Sequence, residues 1–198
     1  MEWTMSKLLK NPKIMEKAQS EMRGILQFQE KHVVDGASIK ELKYLKQVIK
    51  ETFRLHPPLP LLLPRESMEQ CEIHGYKIHK KTRVIVKAWA IGKDPKCWLG
   101  SEWFIPEQFE DTLVDYNGIH FELIPFWAGR RMCLSIGLGL ANVELVVATL
   151  LYYFTWKLHN GSKPQDLNMD EVLQVGSMNS LPSLLVTLTP SSIDFILF

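Results

Sequence analysis

The sequence predicts a mainly α fold with a small antiparallel β portion, and three observations carry that prediction. Leu45, Val48, Ile49, Thr52 and Leu55 recur at helical spacing until Pro57-Pro58 stop the run. His56, ahead of Pro57, is pushed out of the helical region. The runs Ile73-His74-Gly75-Tyr76-Lys77-Ile78 and Thr82 to Trp89 read as two strands joined by a turn of basic residues. From Leu134 to Trp156 the chain is mostly apolar and carries one charge, Glu144, over a stretch far longer than a strand.

The elements follow in order. Residues 12–30 read as a helix opened by Asn11-Pro12, since proline suits the first helical turn. Val34 to Ser38 is a polar break, and residues 39–55 form the helix that the double proline ends. The small sheet runs to about Trp89. Asp94-Pro95 and Phe104-Ile105-Pro106-Glu107-Gln108-Phe109 mark turns in a meander over 93–125. A helix over 136–152 comes next, and Tyr153 to Leu158 pairs with the C-terminal segment, where Ser183 to Thr189 has strand composition. The 136–152 helix is expected to be buried rather than to span a membrane. A carboxylate at its centre costs a few kcal/mol in hydrocarbon, and Gly137, Gly139 and Asn142 suit close packing. Without internal repeats or low-complexity linkers, residues 1–198 are expected to form a single partial domain.

Composition excludes several function classes. A chain of 198 residues with 46% hydrophobic content is long enough for one core. A net charge of +1 gives no electrostatic reason to expect nucleic acid. Cys71, Cys97 and Cys133 form neither a disulfide framework nor a zinc-type pair. His74 and His79 lie on a strand-turn region and read as surface residues rather than metal ligands. Gly137-x-Gly139 lacks a leading strand and a third glycine, so it is no phosphate loop. Nothing places a histidine beside Cys133 in hydrolase fashion.

Chemistry concentrates in Pro125-Phe126-Trp127-Ala128-Gly129-Arg130-Arg131-Met132-Cys133. A helix beginning just after Cys133 turns its free N–H groups and the positive end of its dipole toward the sulfur, which suits a thiolate acting as nucleophile or metal ligand. Gly129 permits a tight turn, and Arg130 and Arg131 suit carboxylates held next to that sulfur. Haem asks for both, an axial thiolate and partners for two propionates. The loop alone leaves a structural cysteine ahead of a core helix as an open alternative.

Phe126, Gly129, Arg131 and Cys133 match Phe-x-x-Gly-x-Arg-x-Cys, so the loop resembles the cysteine loop of the cytochrome P-450 family of haem-thiolate monooxygenases. Glu51 and Arg54, three apart before Pro57-Pro58, resemble the family's Glu-x-x-Arg pair. By residue pattern alone such a pair is a solvated surface pair. The resemblance instead implies a buried pair that braces the haem loop. Leu62-Leu63-Pro64-Arg65-Glu66 resembles the extended segment after that helix, and Phe104 to Phe109 the family's Phe-x-Pro-Glu-Arg-Phe element. The match runs from about Met1 to about Leu173, resembles plant monooxygenases of terpenoid and other specialised metabolism, and fades from about residue 174.

The resemblance implies the C-terminal part of the cytochrome P-450 fold, with haem b as cofactor and NADPH acting indirectly through a reductase. Cys133 is then the axial ligand of the haem iron, Arg65 and Arg131 hold propionates, and Phe126 and Gly129 shape the loop. Glu51, Arg54 and Gln108 brace it, and Leu61, Leu62 and Leu63 face a lipophilic small-molecule substrate. The implied partners are that substrate and cytochrome P-450 reductase, at the endoplasmic reticulum membrane surface. This stretch itself carries no anchor, which leaves the cytoplasm as the alternative.

Five departures bear on these roles. Gln108 stands where the family carries arginine, so the bracing is expected to weaken. Trp127 replaces a glycine, and its indole is expected to swing outward or to meet the porphyrin. Leu134 and Ser135 replace Pro-Gly, which restricts the backbone after the ligand. Met1 to Pro12 resembles the end of the family's long central helix, so the oxygen-activating threonine lies outside this sequence. Gly176 to Pro182 and the apolar tail Ile193 to Phe198 do not resemble the family's closing strand pair. Three functions therefore compete: a monooxygenase, a catalytically inactive truncated fragment, and a non-catalytic protein that binds a relative or its reductase.

Overall fold

The computed structural model describes residues 1–158, 163–167 and 169, and the backbone of 186–190. The calls on Gly176 to Pro182 and Ile193 to Phe198 lie outside the described residues. Two compact units emerge. The first comprises Met1–Thr52, Phe104–Asp111 and the chain from Ser135, and the second Phe53–Trp103 and Thr112–Leu134.

In the first unit, α1 (Glu2–Lys10) ends at Asn11, whose amide donates to Lys7 O at 2.8 Å, and Pro12 opens α2 (Pro12–Phe28). Met15, Ala18, Met22 and Leu26 form the buried stripe of α2, spaced as one helix face requires. The next helix starts earlier than the sequence suggests. Asp35 accepts the Ser38 N–H at 2.8 Å and caps α3 (Gly36–Glu41), so the polar break at 34–38 is already the start of a helix. Nor is 39–55 one helix. Leu42, with ψ of 85°, separates α3 from α4 (Lys43–Leu55). The Glu21 carboxylate on α2 accepts the Tyr44 and Leu45 N–H groups at 2.8 and 3.0 Å, meeting the free donors and positive dipole of a new helix start.

The long apolar helix α6 (Ile136–Tyr153) buries only its second half, through Val147, Ala148, Leu151 and Tyr152. Leu138, Leu145 and Val146 are exposed, so the expectation of a buried helix holds only from Val147 onward. By length and composition α6 is apolar enough to cross a membrane, although Glu144 sits at its centre. Gln19 donates to the Leu151 and Phe154 carbonyls at 3.2 and 3.1 Å, holding the C-terminal end of α6. Strand β5 (Phe154–Leu158) pairs antiparallel with β6 (Val186–Pro190), Phe154 opposite Pro190 and Leu158 opposite Val186.

The second unit contains the end of α4 and two small ladders. The run over 73–78 is not a single strand: β2 (Cys71–Ile73) and β3 (Tyr76–Ile78) form a hairpin. Its two-residue turn, His74-Gly75, has both residues at positive φ, the turn whose twist matches antiparallel strands. The expected second strand is shorter and pairs elsewhere, as β4 (Arg83–Val84) lies against β1 (Arg65–Glu66). Its continuation becomes a helical turn, α5 (Ala88–Ile91). This pairing ties Arg65 to the sheet.

Candidate functional site

The Cys133 loop is built by short-range turns. Gly129–Arg131 forms one 3-10 turn, closed by Met132 N–H to Gly129 O at 3.1 Å, and the Cys133 N–H donates to Phe126 O at 3.0 Å. Gly129 has φ of +71°, where a glycine is at no disadvantage. Gly118 supports the loop from below: a Cβ there would come within 3.0 Å of Met132 Sδ and 3.2 Å of Ala128 Cα. Phe126 is fixed by edge-on packing against Phe53 and Tyr116, with ring centroids 5.1 and 5.5 Å away. No local signal marks Phe53 and Tyr116 as partners of the loop, because their contact depends on chain segments far apart in sequence.

The loop presents the thiol and two cations. Cys133 is a free, exposed thiol, and Arg130 and Arg131 are exposed. Arg65 reaches the loop from β1, donating through Nη2 to Arg131 O at 3.2 Å. No carboxylate pairs with Arg65 or Arg131 among the described residues.

Trp127 is the anomaly of this loop. Its φ is +71°, the left-handed region in which a bulky side chain costs about 1–2 kcal/mol. That conformation explains why a glycine stands here in the pattern the loop resembles. The indole lies under the Arg65 guanidinium, 4.0 Å from ring centroid to Cζ, and packs against the small buried cluster of Leu62, Ala88 and Ile124. Its Nε1 is buried without a hydrogen-bond partner among the described residues, which costs a further ~1–3 kcal/mol. Leu62 thus belongs to this cluster, whereas Leu61 and Leu63 are exposed.

The three bracing candidates fall as follows. Glu51 is completely buried and accepts the Ile105 N–H at 2.7 Å and the Gln108 amide at 2.8 Å. Gln108 thus supplies a hydrogen bond, though neither a charge nor a guanidinium fork. Arg54 is also buried, donating to the carbonyls of Gly92, Ser101 and Trp103 at 2.6, 2.7 and 2.9 Å and lying 5.2 Å from the Trp98 ring centroid. Two charges that periodicity alone assigns to the surface are therefore interior.

The family model for cytochrome P-450 matches residues 1–186. This chain belongs to the cytochrome P-450 family. It is 57% identical over 171 residues to salviol synthase of Salvia pomifera, covering 86% of this chain and 34% of that protein. It is 55% identical over 171 residues to desmethyl-deoxy-podophyllotoxin synthase of Sinopodophyllum hexandrum, covering 86% and 33%. Premnaspirodiene oxygenase of Hyoscyamus muticus is 50% identical over 184 residues, covering 93% and 36%. A zebrafish cytochrome P-450 solved with abiraterone superimposes with a TM-score of 0.79 at 29% identity, covering 96% of this chain and 43% of that one. The mainly helical fold with small antiparallel sheets is thus part of the cytochrome P-450 fold. The chain spans about a third of the length of the curated relatives it matches.

Haem iron is the cofactor of the cytochrome P-450 family, and the donor chemistry of the loop fits it. An exposed thiol would serve as a soft iron ligand, and the guanidinium groups of Arg131 and of Arg65, which donates to the Arg131 carbonyl, have no acid partners among the described residues and would suit a dianionic porphyrin.

Proposed function

We propose that the chain contributes the thiolate side of a haem monooxygenase that inserts one oxygen atom from O2 into a lipophilic small molecule, with electrons from NADPH delivered by a reductase at the endoplasmic reticulum membrane surface. The observation that carries this reading is the meeting, on one loop, of an exposed cysteine and two cations without acid partners. Cys133 would ligate the iron, and haem held there would supply the oxygen-activating chemistry. Arg65 and Arg131 hold the propionates by charge-assisted hydrogen bonds. Phe126, set by Phe53 and Tyr116, and Gly129 fix the path of the loop, so the sulfur arrives in one position. Glu51, Arg54 and Gln108 brace the segments that lead to it. Leu61 and Leu63, exposed beside buried Leu62, offer an apolar surface to the substrate.

The test is the absorption spectrum of the chain after haem addition, reduction and carbon monoxide, with Cys133→Ala alongside. A strongly red-shifted Soret band that disappears in Cys133→Ala is expected. The same spectrum from both chains would refute thiolate ligation by Cys133.

A further inference from the structure

We propose that Trp127 is an internal plug of this site, whose indole competes with the porphyrin for Arg65 and must leave its place before haem binds. The proposal rests on the haem reading above and adds to it the residue that governs occupancy. Two side chains assigned to different tasks, Arg65 and Leu62, converge on one indole. The Arg65 guanidinium is stacked on it at 4.0 Å, and Leu62, buried between exposed Leu61 and Leu63, packs in the cluster it joins with Ile124. Arg65 also donates to the Arg131 carbonyl, so of the two cations that suit a propionate it is Arg65 that is engaged, while the Arg131 guanidinium is exposed.

The indole is poorly suited to stay. Its backbone is held in a conformation made for glycine, and its one polar atom, Nε1, is buried with no acceptor among the described residues. It gains only apolar burial and a cation–π contact, both of which a porphyrin carrying carboxylates can replace. An apolar ring of this size placed against the propionate-binding arginine therefore lowers haem affinity in proportion to what the stack is worth. The contact between Trp127 and Arg65 is at once a stabiliser of the empty loop and an obstacle to filling it.

The experiment is a haem titration, followed by Soret absorbance, on the full 198-residue chain and on its Trp127→Gly and Trp127→Phe variants. Far-ultraviolet circular dichroism of each confirms the fold. Trp127→Gly is expected to bind haem about tenfold more tightly, equivalent to ~1.4 kcal/mol. Trp127→Phe, which keeps a ring over Arg65, is expected to bind as the parent chain does. Equal or weaker binding by Trp127→Gly overturns the plug while leaving Cys133 ligation intact. Absence of any Cys133-dependent band in all three chains removes the haem reading, and the plug with it.

Discussion

Helix α4 and the Cys133 loop treat their polar groups in opposite ways. On α4 the two buried charges are matched by donors and acceptors set to receive them, two for Glu51 and three carbonyls for Arg54. Among the described residues, the loop leaves its thiol exposed, its cations without acids, a tryptophan in a glycine conformation and an indole N–H without an acceptor. A region whose buried charges are hydrogen-bonded is built for stability. One that breaks several local rules within seven residues is built for binding, because such violations gather at functional sites. Substitutions should therefore separate cleanly, those on α4 acting on folding and those in the loop on binding.

The largest effect is expected from Arg54→Met. The side chain keeps its volume but withdraws donors from three carbonyls, at least one of them in a buried setting, and unsatisfied acceptors cost ~1–3 kcal/mol each. A loss of about 3 kcal/mol or more should show as a lowered urea midpoint or the disappearance of cooperative unfolding. An unchanged midpoint would mean that α4 is not the stability element described here.

A smaller effect distinguishes the two possible jobs of Gln108. Gln108→Leu removes a hydrogen bond to a buried carboxylate, worth about 1.5–3 kcal/mol, whereas Gln108→Arg restores charge and fork and should raise stability. If both variants unfold at the parent midpoint, the 2.8 Å contact contributes nothing and the departure from arginine is inconsequential. Neither substitution should alter the Soret maximum, since neither touches the loop.

How much of this was legible in the sequence follows the same division. The end of α4 was legible because Pro57-Pro58 forbid its continuation and its stripe has helical spacing. Its start was not, because the break at Leu42 is enforced by the Glu21 carboxylate on another helix, a partner no local pattern names. The hairpin was hidden in plain view. His74-Gly75 is a turn pair, but the apolar residues on either side read as one strand. Burial of Glu51 and Arg54 came only from resemblance, since charges three apart on a helix ordinarily face water. In the loop, the motif named the residues that bear the chemistry. It did not show where the Trp127 indole would go, which depends on Arg65 arriving through the pairing of β1 with β4.

The smallest expected effect tests the first half of α6, whose apolar surface is exposed. Glu144 is a second carboxylate to set beside Glu51 of α4. Unlike Glu51 it has no hydrogen-bond donor among the described residues, and partial burial raises its pKa above the ordinary glutamate range, with Lys46 opposing only in part. The sign follows from linkage. A carboxyl whose folded pKa is raised binds its proton more tightly in the native state, so its contribution is fully present at pH below its unfolded pKa. It is lost as pH rises through the folded value. Glu144→Gln should therefore leave stability at low pH little changed and remove a shallow decline just above the ordinary glutamate range, read from urea midpoints across that window. A decline that persists in Glu144→Gln would assign it to another group. Its disappearance would show that this stretch of α6 carries a charge at a cost, as a surface does when a further apolar layer is meant to lie beside it.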